Sequence, residues 1–483
     1  MTVAARPGVP SHARYYWGEN GQYGPFDIQR DGEWAGWPDF GQVMRYFRKR
    51  MRPKLSARAF GVLYGREVNA DGSAIGERWI LDMELNNKVP VDINKRKTIA
   101  RLLNIPPMLF GLAVLEDIIL EPHSQAQQRA GTGRTKLARV AMDTTRYQNN
   151  VRTIWQLHDT GNAQGSLGQL EADIRDLESF EQQTGGDLRY HIQEILFGYH
   201  LLTAHIVRDQ RQFSRSYHYA NEAVRVARSM QDGDLIATAL FTRGWTRLEW
   251  GLYGTMQQHV FRVQPGMLQA AIHDFEEAMQ VFPAQGGKET MHPQLFGRLI
   301  TYRSRAQAAL AVSKGKHPPA SILLAPDDVS DMVGRQEIKD LYTRTLVTGT
   351  RSGLHEQAYL SNRAAIFTAA RLPGPALKEL NASERLTEKT YRRDETRQFT
   401  WLDILKANVY MELGEFGVAV DYAIRALLAC QDISSITNTA IITDIYGRLL
   451  QSPHKASSQV QELGDLLRKS PIMALGPEKE LPH

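Results

Sequence analysis

Apolar residues recur at helical spacing through residues 41–110, with stop signals between the runs. Val43, Met44 and Phe47 mark one short helix. Ser56 stands just before a second apolar-periodic run, where an N-cap belongs, and Asp92 does the same before Ile93, Ile99, Leu102 and Leu103. Asn104-Ile-Pro-Pro ends that last helix, because proline lacks an N–H and restricts the residue before it. From about Tyr147 to Leu467 the pattern is helical almost throughout, and turn clusters cut it into segments of helix length. Residues 1–40 read differently. Tyr15, Tyr16, Trp17, Tyr23, Phe26, Trp34, Trp37 and Phe40 are interleaved with glycines and acids, which predicts a short hairpin or an arm folded on the next domain. Such aromatics cover an apolar face more often than they stack on bases.

The 41–110 pattern resembles a helix-turn-helix domain of the lambda-repressor (XRE) type. The match lies in a basic first helix, the Leu55-Ser56 opening of the second, the Ile80 and Glu84 pair of the third, and the ending IARLLNIPP of the fourth. The resemblance implies binding to double-stranded DNA through the third helix. Gly65 is followed by REVNADGSAIGE, longer than the family's tight turn, and Asp71-Gly72 predicts that this insert loops out. The recognition helix then starts near Ile75 or Gly76, with Glu77, Arg78, Trp79, Leu81 and Asp82 as groove-facing candidates. Arg78 suits a guanine edge, whereas Glu77 and Asp82 are repelled by phosphates. The alternative is a helix-turn-helix that docks protein.

Charge sharpens this picture. The chain carries 58 basic and 53 acidic side chains, a net charge of only +5, yet Arg45, Arg48, Lys49, Arg50, Arg52, Lys54 and Arg58 fall in one short span. Lys95, Arg96, Lys97 and Arg101 form a second cluster. Concentrated basic charge on a small domain is the footprint of a nucleic-acid binder; a solvated helix face is the plainer reading. The candidate DNA contacts are Arg48, Lys49, Arg50, Arg78, Lys95, Arg96 and Lys97.

Residues 407–427 resemble a tetratricopeptide repeat, with small Ala407, large Tyr410, the Gly414-Glu-Phe416 turn and small Ala419 and Ala426. Small residues let two antiparallel helices approach, and glycine turns the chain. Looser units lie at Gly244 to Pro283, with an insertion near 254–264, at Ala358 to Leu386, and around Tyr219 to Ala227. The expected fold is mainly α: an N-terminal helix-turn-helix domain followed by an α-solenoid of TPR-like helical pairs. First helices of such pairs line a concave surface, which binds peptides or partner helices. Asn362, Arg363, Asn408, Arg243 and Arg247 are the candidate peptide contacts, and Arg303 and Arg305 share that face. The combination resembles the peptide-sensing bacterial regulators of the Rgg, PlcR and NprR group. That implies a dimeric transcription regulator with a peptide or protein ligand in the groove. A protein-interaction scaffold is the alternative.

The length of 483 residues suggests two or three domains. The expected division is an aromatic arm (1–40), a helix-turn-helix domain (41–120), a linker (121–145), the solenoid (146–470) and a tail (471–483). A single cysteine, Cys430, suits a reducing cytoplasm. No signal sequence is read at the start, and Pro106 to Leu120 is too short and too acidic to span a bilayer, so a cytoplasmic protein with no membrane partner is expected. No catalytic or cofactor motif emerges. The histidines lack metal-ligand spacing; Gly131-Thr-Gly133-Arg-Thr-Lys136 lacks P-loop spacing; Gly165-Ser166 lacks the glycine of a hydrolase elbow.

Overall fold

A computed structural model describes residues 14–18, 21–30, 34–112, 139–142, 144–159, 161, 163–284, 291, 293–327, 356–390, 396–433 and 435–470. The described residues are mainly helical. The chain divides into two compact units, Met1–Tyr147 with Asp176–Ile192, and Gln148–Arg175 with Gln193–His483. The expected tail, the motif at 131–136 and most of the expected linker lie outside the described residues.

The first unit begins with strands β1 (Arg14–Trp17) and β2 (Tyr23–Phe26), which pair antiparallel. A third strand, β3 (Arg139–Met142), pairs antiparallel with the other edge of β1, Tyr15 opposite Ala141. Residues 139–142 are therefore part of a sheet, not of a linker. Their pairing partner is more than a hundred residues away, so no local pattern announces it. Four helices follow the hairpin: α1 (Phe40–Arg50), α2 (Ala57–Val68), α3 (Glu77–Asn86) and α4 (Ile93–Leu103). Three of the four starts carry a side-chain cap; α3, behind Gly76, does not. The Asp39 carboxylate accepts from Gln42 N, Ser56 Oγ from Ala59 N, and the Asp92 carboxylate from Asn94 N and Lys95 N. Asn87 and Asn104 end α3 and α4 in the left-handed region, at φ 50° and 53°. Trp17, Phe26 and Trp37 of the aromatic arm share one core with Phe40, Met44, Phe60, Ile80, Ile99 and Leu103. The arm's aromatics thus serve packing.

The α2–α3 connection does loop out. Gly72 N donates to Asn69 O at 3.0 Å, and Ser73 N to the Asp71 carboxylate at 3.0 Å. The chain then returns along α2, where Ile75 N donates to Gly61 O at 3.0 Å. This close approach requires a glycine, since a methyl at position 61 would overlap the Ile75 carbonyl oxygen. Gly61→Ala is expected to cost about 1–3 kcal/mol, as overpacking does. Urea unfolding of the variant checks this, and unchanged stability would show that the return path is not packed this way.

The second unit holds most of the remaining helices. Those of the chain after β3 are α5 (Thr144–Asp159), α6 (Leu167–Gln183), α7 (Gly186–Asp209), α8 (Phe213–Met230), α9 (Gly233–Tyr253) and α10 (Pro265–Ala284). They continue as α11 (Pro293–Ser313), α12 (Ala320–Leu324), α13 (Glu356–Ala369), α14 (Pro373–Thr390), α15 (Thr396–Leu413), α16 (Phe416–Asp432), α17 (Ile436–Leu450) and α18 (Ser458–Lys469). Helices α9 and α10, α13 and α14, and α15 and α16 each pack as neighbours in sequence and in space. The repeat-like segment at 407–427 spans the end of α15 and most of α16, and Gly414 turns between them at φ 78°. Small residues set the helix spacing: Gly244 leaves room for Phe275, and Ala407, Ala419, Ala423 and Ala426 are buried. The insertion between α9 and α10 is a hairpin, β4 (Thr255–Gln257) and β5 (Val260–Arg262). It reaches α17, where Phe261 N donates to the Asp444 carboxylate at 2.7 Å. Among the described residues no helix is long and apolar enough to cross a membrane.

Candidate functional sites

The first unit sorts its basic side chains into two kinds. Arg48 is buried in α1 and grips the Glu84 carboxylate of α3 with two bonds, Nε at 2.5 Å and Nη2 at 2.8 Å. Its third donor, Nη1, reaches Leu55 O at 2.8 Å. Arg96 is buried as well; its guanidinium lies 4.3 Å from the Trp34 ring and donates to Val91 O at 3.3 Å. Both were expected to touch DNA, and both instead hold the unit together. Their positions in basic clusters concealed partners on other elements, Glu84 on α3 for Arg48 and Trp34 for Arg96. Arg50 is exposed but engaged, donating to both oxygens of Asp187 and lying over the Tyr46 ring at 4.1 Å.

The other kind remains open. Lys49, Arg78, Lys95 and Lys97 are exposed and carry no ion pair among the described residues. Arg45, Arg52, Lys54, Arg58 and Arg66 are exposed too. Arg78 sits in the first turn of α3, after its N-cap Gly76. Asp82, one turn on, is held below the ordinary carboxylate range by the Asn86 amide and by Lys88, which stands 3.1 Å away. Trp79 stacks on Tyr64 and so serves packing in part. Leu81 and Leu85 share the outward side of α3 with Arg78, at 36% and 63% exposure.

In the second unit, four of the five expected peptide contacts are already occupied. Asp274 of α10 is fully buried between two arginines of α9: Arg243 Nη2 at 2.7 Å on one oxygen, Arg247 Nη1 at 2.7 Å on the other. Arg243 also bonds Asn221, and Arg247 the Tyr217 hydroxyl. Arg363 pairs with Asp327 at 2.5 Å and with Glu379 at 3.5 Å. Asn408 donates to Ile404 O at 3.1 Å and accepts from Arg448. Asn362 is half-buried and keeps its amide without a partner among the described residues. His273, Asp274 and Glu277 come close enough to hold a cation. Both Asp274 oxygens bind guanidinium, and Glu277 binds Arg228 and Arg243, so that donor set is already spent.

A different set converges on α7, α9 and α11. The Arg208 guanidinium lies 3.5 Å from the Trp245 ring centre and 3.2 Å from Glu249. Arg298 lies 4.6 Å from the Phe241 ring and 5.7 Å from those of Trp245 and Tyr302. Trp245 Nε1 donates to Glu249 at 2.7 Å, and Arg305 donates to the Tyr253 hydroxyl at 2.8 Å. His205 is wedged between the rings of Trp155 and Trp245, each 5.3 Å away. Burial pushes its pKa well down, so the ring stays neutral at pH 7. Burial raises the Glu249 carboxyl and lowers the Arg298 guanidinium from their ordinary values. Arg305 was expected beside Arg243 and Arg247 in a groove; it lies instead near Glu249, whose neighbours Arg208, Trp245 and Arg298 were not singled out as contacts. The available signal was spacing: Trp245 and Glu249 four apart, and Arg298, Tyr302 and Arg305 four and three apart, each on one side of a helix. No family model and no curated protein matches the chain.

Proposed function

We propose that the chain is a DNA-binding transcriptional regulator. Its first unit acts as an XRE-like helix-turn-helix, and its second as a TPR-like solenoid that senses a peptide or protein ligand and mediates homodimerisation. The observation that carries the reading is the set Lys49, Arg78, Lys95 and Lys97, exposed and without an ion pair among the described residues, on one small helical unit. With Arg48 and Arg96 taken into the core, these four are the contacts left for DNA, and Arg50 joins them only by leaving Asp187. Phosphate contacts set affinity, and Arg78, exposed in the first turn of α3, is the candidate for reading a base edge. Changing Lys95 and Lys97 together to alanine is expected to weaken binding to every duplex and to lower the salt slope by about two units, near 0.9 for each lost contact. Fluorescence anisotropy on a labelled duplex across a salt series measures both. An unchanged slope would remove α4 from the interface.

One observation favours a second reading, a protein-docking use of the same unit. Leu81 and Leu85 expose apolar surface on the side of α3 that would otherwise enter the groove. Sequence selection on random duplexes decides between the two. Enrichment of one motif by the wild type, relaxed in Arg78→Ala, supports DNA reading; no enrichment supports docking.

A further inference from the structure

The hairpin β4–β5 interrupts a helical pair and lies on a helix far along the chain. Every residue from 254 to 264 is exposed or half-buried. The surface beneath is nonetheless shaped for a strand. Phe261 N donates to the Asp444 carboxylate of α17 at 2.7 Å. The Phe261 ring stands 5.3 Å from that of Tyr253 on α9 and packs against the core shared by α15, α16, α17 and α18. The Arg211 guanidinium lies 5.4 Å from the same ring and is held there by its bond to Tyr253 O, at 2.7 Å. Gly447 of α17 is buried, and a methyl there would come within 2.5 Å of the His259 carbonyl oxygen, so α17 is cut back to admit the hairpin backbone. The hairpin, by contrast, is weakly specified by its own residues. Gln258 and His259 turn it at φ 50° and 65°, in the left-handed region that two-residue hairpin loops fill best with Asn-Gly. A two-stranded hairpin is marginal in water without a surface to pack on. Left-handed residues of this kind persist where their surroundings fix them, and they gather at ligand clamps and switch segments. The dock on α9 and α17 therefore holds the hairpin in place.

We propose that β4–β5 is a displaceable strap on a peptide-docking surface. An extended peptide takes its place, giving a backbone N–H to Asp444 and an aromatic side chain to the slot that Phe261 fills. The hairpin shows which chemistry this surface accepts. A carboxylate takes a backbone N–H from any sequence, so the main chain supplies affinity. The slot between Tyr253 and Arg211 takes a ring, so the aromatic supplies specificity. Tethered at both ends, the strap competes as an intramolecular ligand, and a peptide must outbid its effective concentration. The inference deepens the sensing half of the proposed function and rests on it, not on DNA binding.

The test uses the full chain without DNA. The probe is a fluorescent, end-blocked peptide of the strap's own sequence, QHVFRVQ, from Gln258 to Gln264. It is titrated by anisotropy against the wild type and against a strapless chain in which residues 255–262 are replaced by glycine and serine. The strapless chain is expected to bind the probe at least about tenfold more tightly, because its tethered competitor is gone. The same peptide with alanine in the place of Phe261 is expected not to bind. Excess probe is also expected to speed hydrogen exchange at the Phe261 amide of isotope-labelled wild type, since displacement frees that N–H from Asp444. If the strapless chain fails to fold, Phe261→Ala in the otherwise intact chain takes its place with the same expected order of affinities. Equal affinity for the two chains, no binding to either, undiminished binding of the alanine peptide, or unchanged exchange at Phe261 overturns the proposal. DNA binding is scored separately by the salt series, so failure of the regulator reading and failure of this site are distinguishable.

Discussion

Replacing Arg48 with alanine is expected to cost about 3–5 kcal/mol and to leave the first unit largely unfolded at 37 °C. The reason is an asymmetry. The intact pair hides both charges and meets them with two bonds from Arg48 to Glu84 and a third to Leu55 O. Removing one partner leaves the Glu84 carboxylate buried in α3 with no cation. Urea unfolding followed by the fluorescence of Trp17, Trp34 and Trp37, all in or against this core, reads the loss. The double replacement Arg48→Met with Glu84→Leu removes both charges and is expected to recover much of the stability, because an apolar pair of similar volume carries no desolvation cost. A stable Arg48→Ala chain with weakened DNA binding would return Arg48 to the surface and overturn this account.

The same residue shows what was legible in the sequence and what was not. Helices were legible because their causes are local: Ser56 and Asp92 cap the runs they precede, and Asn104 with two prolines ends α4. The turn at Gly414 and the small residues of α16 were legible for the same reason. Side-chain fate was not, because it is decided at a distance. Arg48 meets Glu84 across 36 positions, and Arg243 meets Asp274 across 31. A run of basic residues looks like a surface whether or not an acid waits on another helix. Insertions fared likewise: turn residues near 254–264 announced a break, but docking on Asp444, 183 residues on, needed the fold. The exposed cations Lys95 and Lys97 were legible because nothing distant claims them among the described residues.

Asp274→Ala is expected to be the second most damaging single change, costing about 3–5 kcal/mol in the second unit. Asp274 is fully buried and receives Arg243 on one oxygen and Arg247 on the other, so its loss leaves two guanidiniums facing each other on α9. Burial raises the Asp274 carboxyl and the two arginines oppose that rise; the group is a structural anion whose value lies in the bonds it accepts. Asp274→Asn keeps the shape and loses the charge, so it is expected to be destabilised less, while Glu277 retains one contact with Arg243 at 3.3 Å. A double-mutant cycle with Arg243→Ala separates lock from ligand contact. If Arg243 is a lock, the two changes together cost clearly less than their sum, and Arg243→Ala alone lowers Tm in the absence of any ligand. If Arg243→Ala instead leaves Tm unchanged and the pair is additive, the α9–α10 lock does not exist. The arginine would then return to the set available for a ligand.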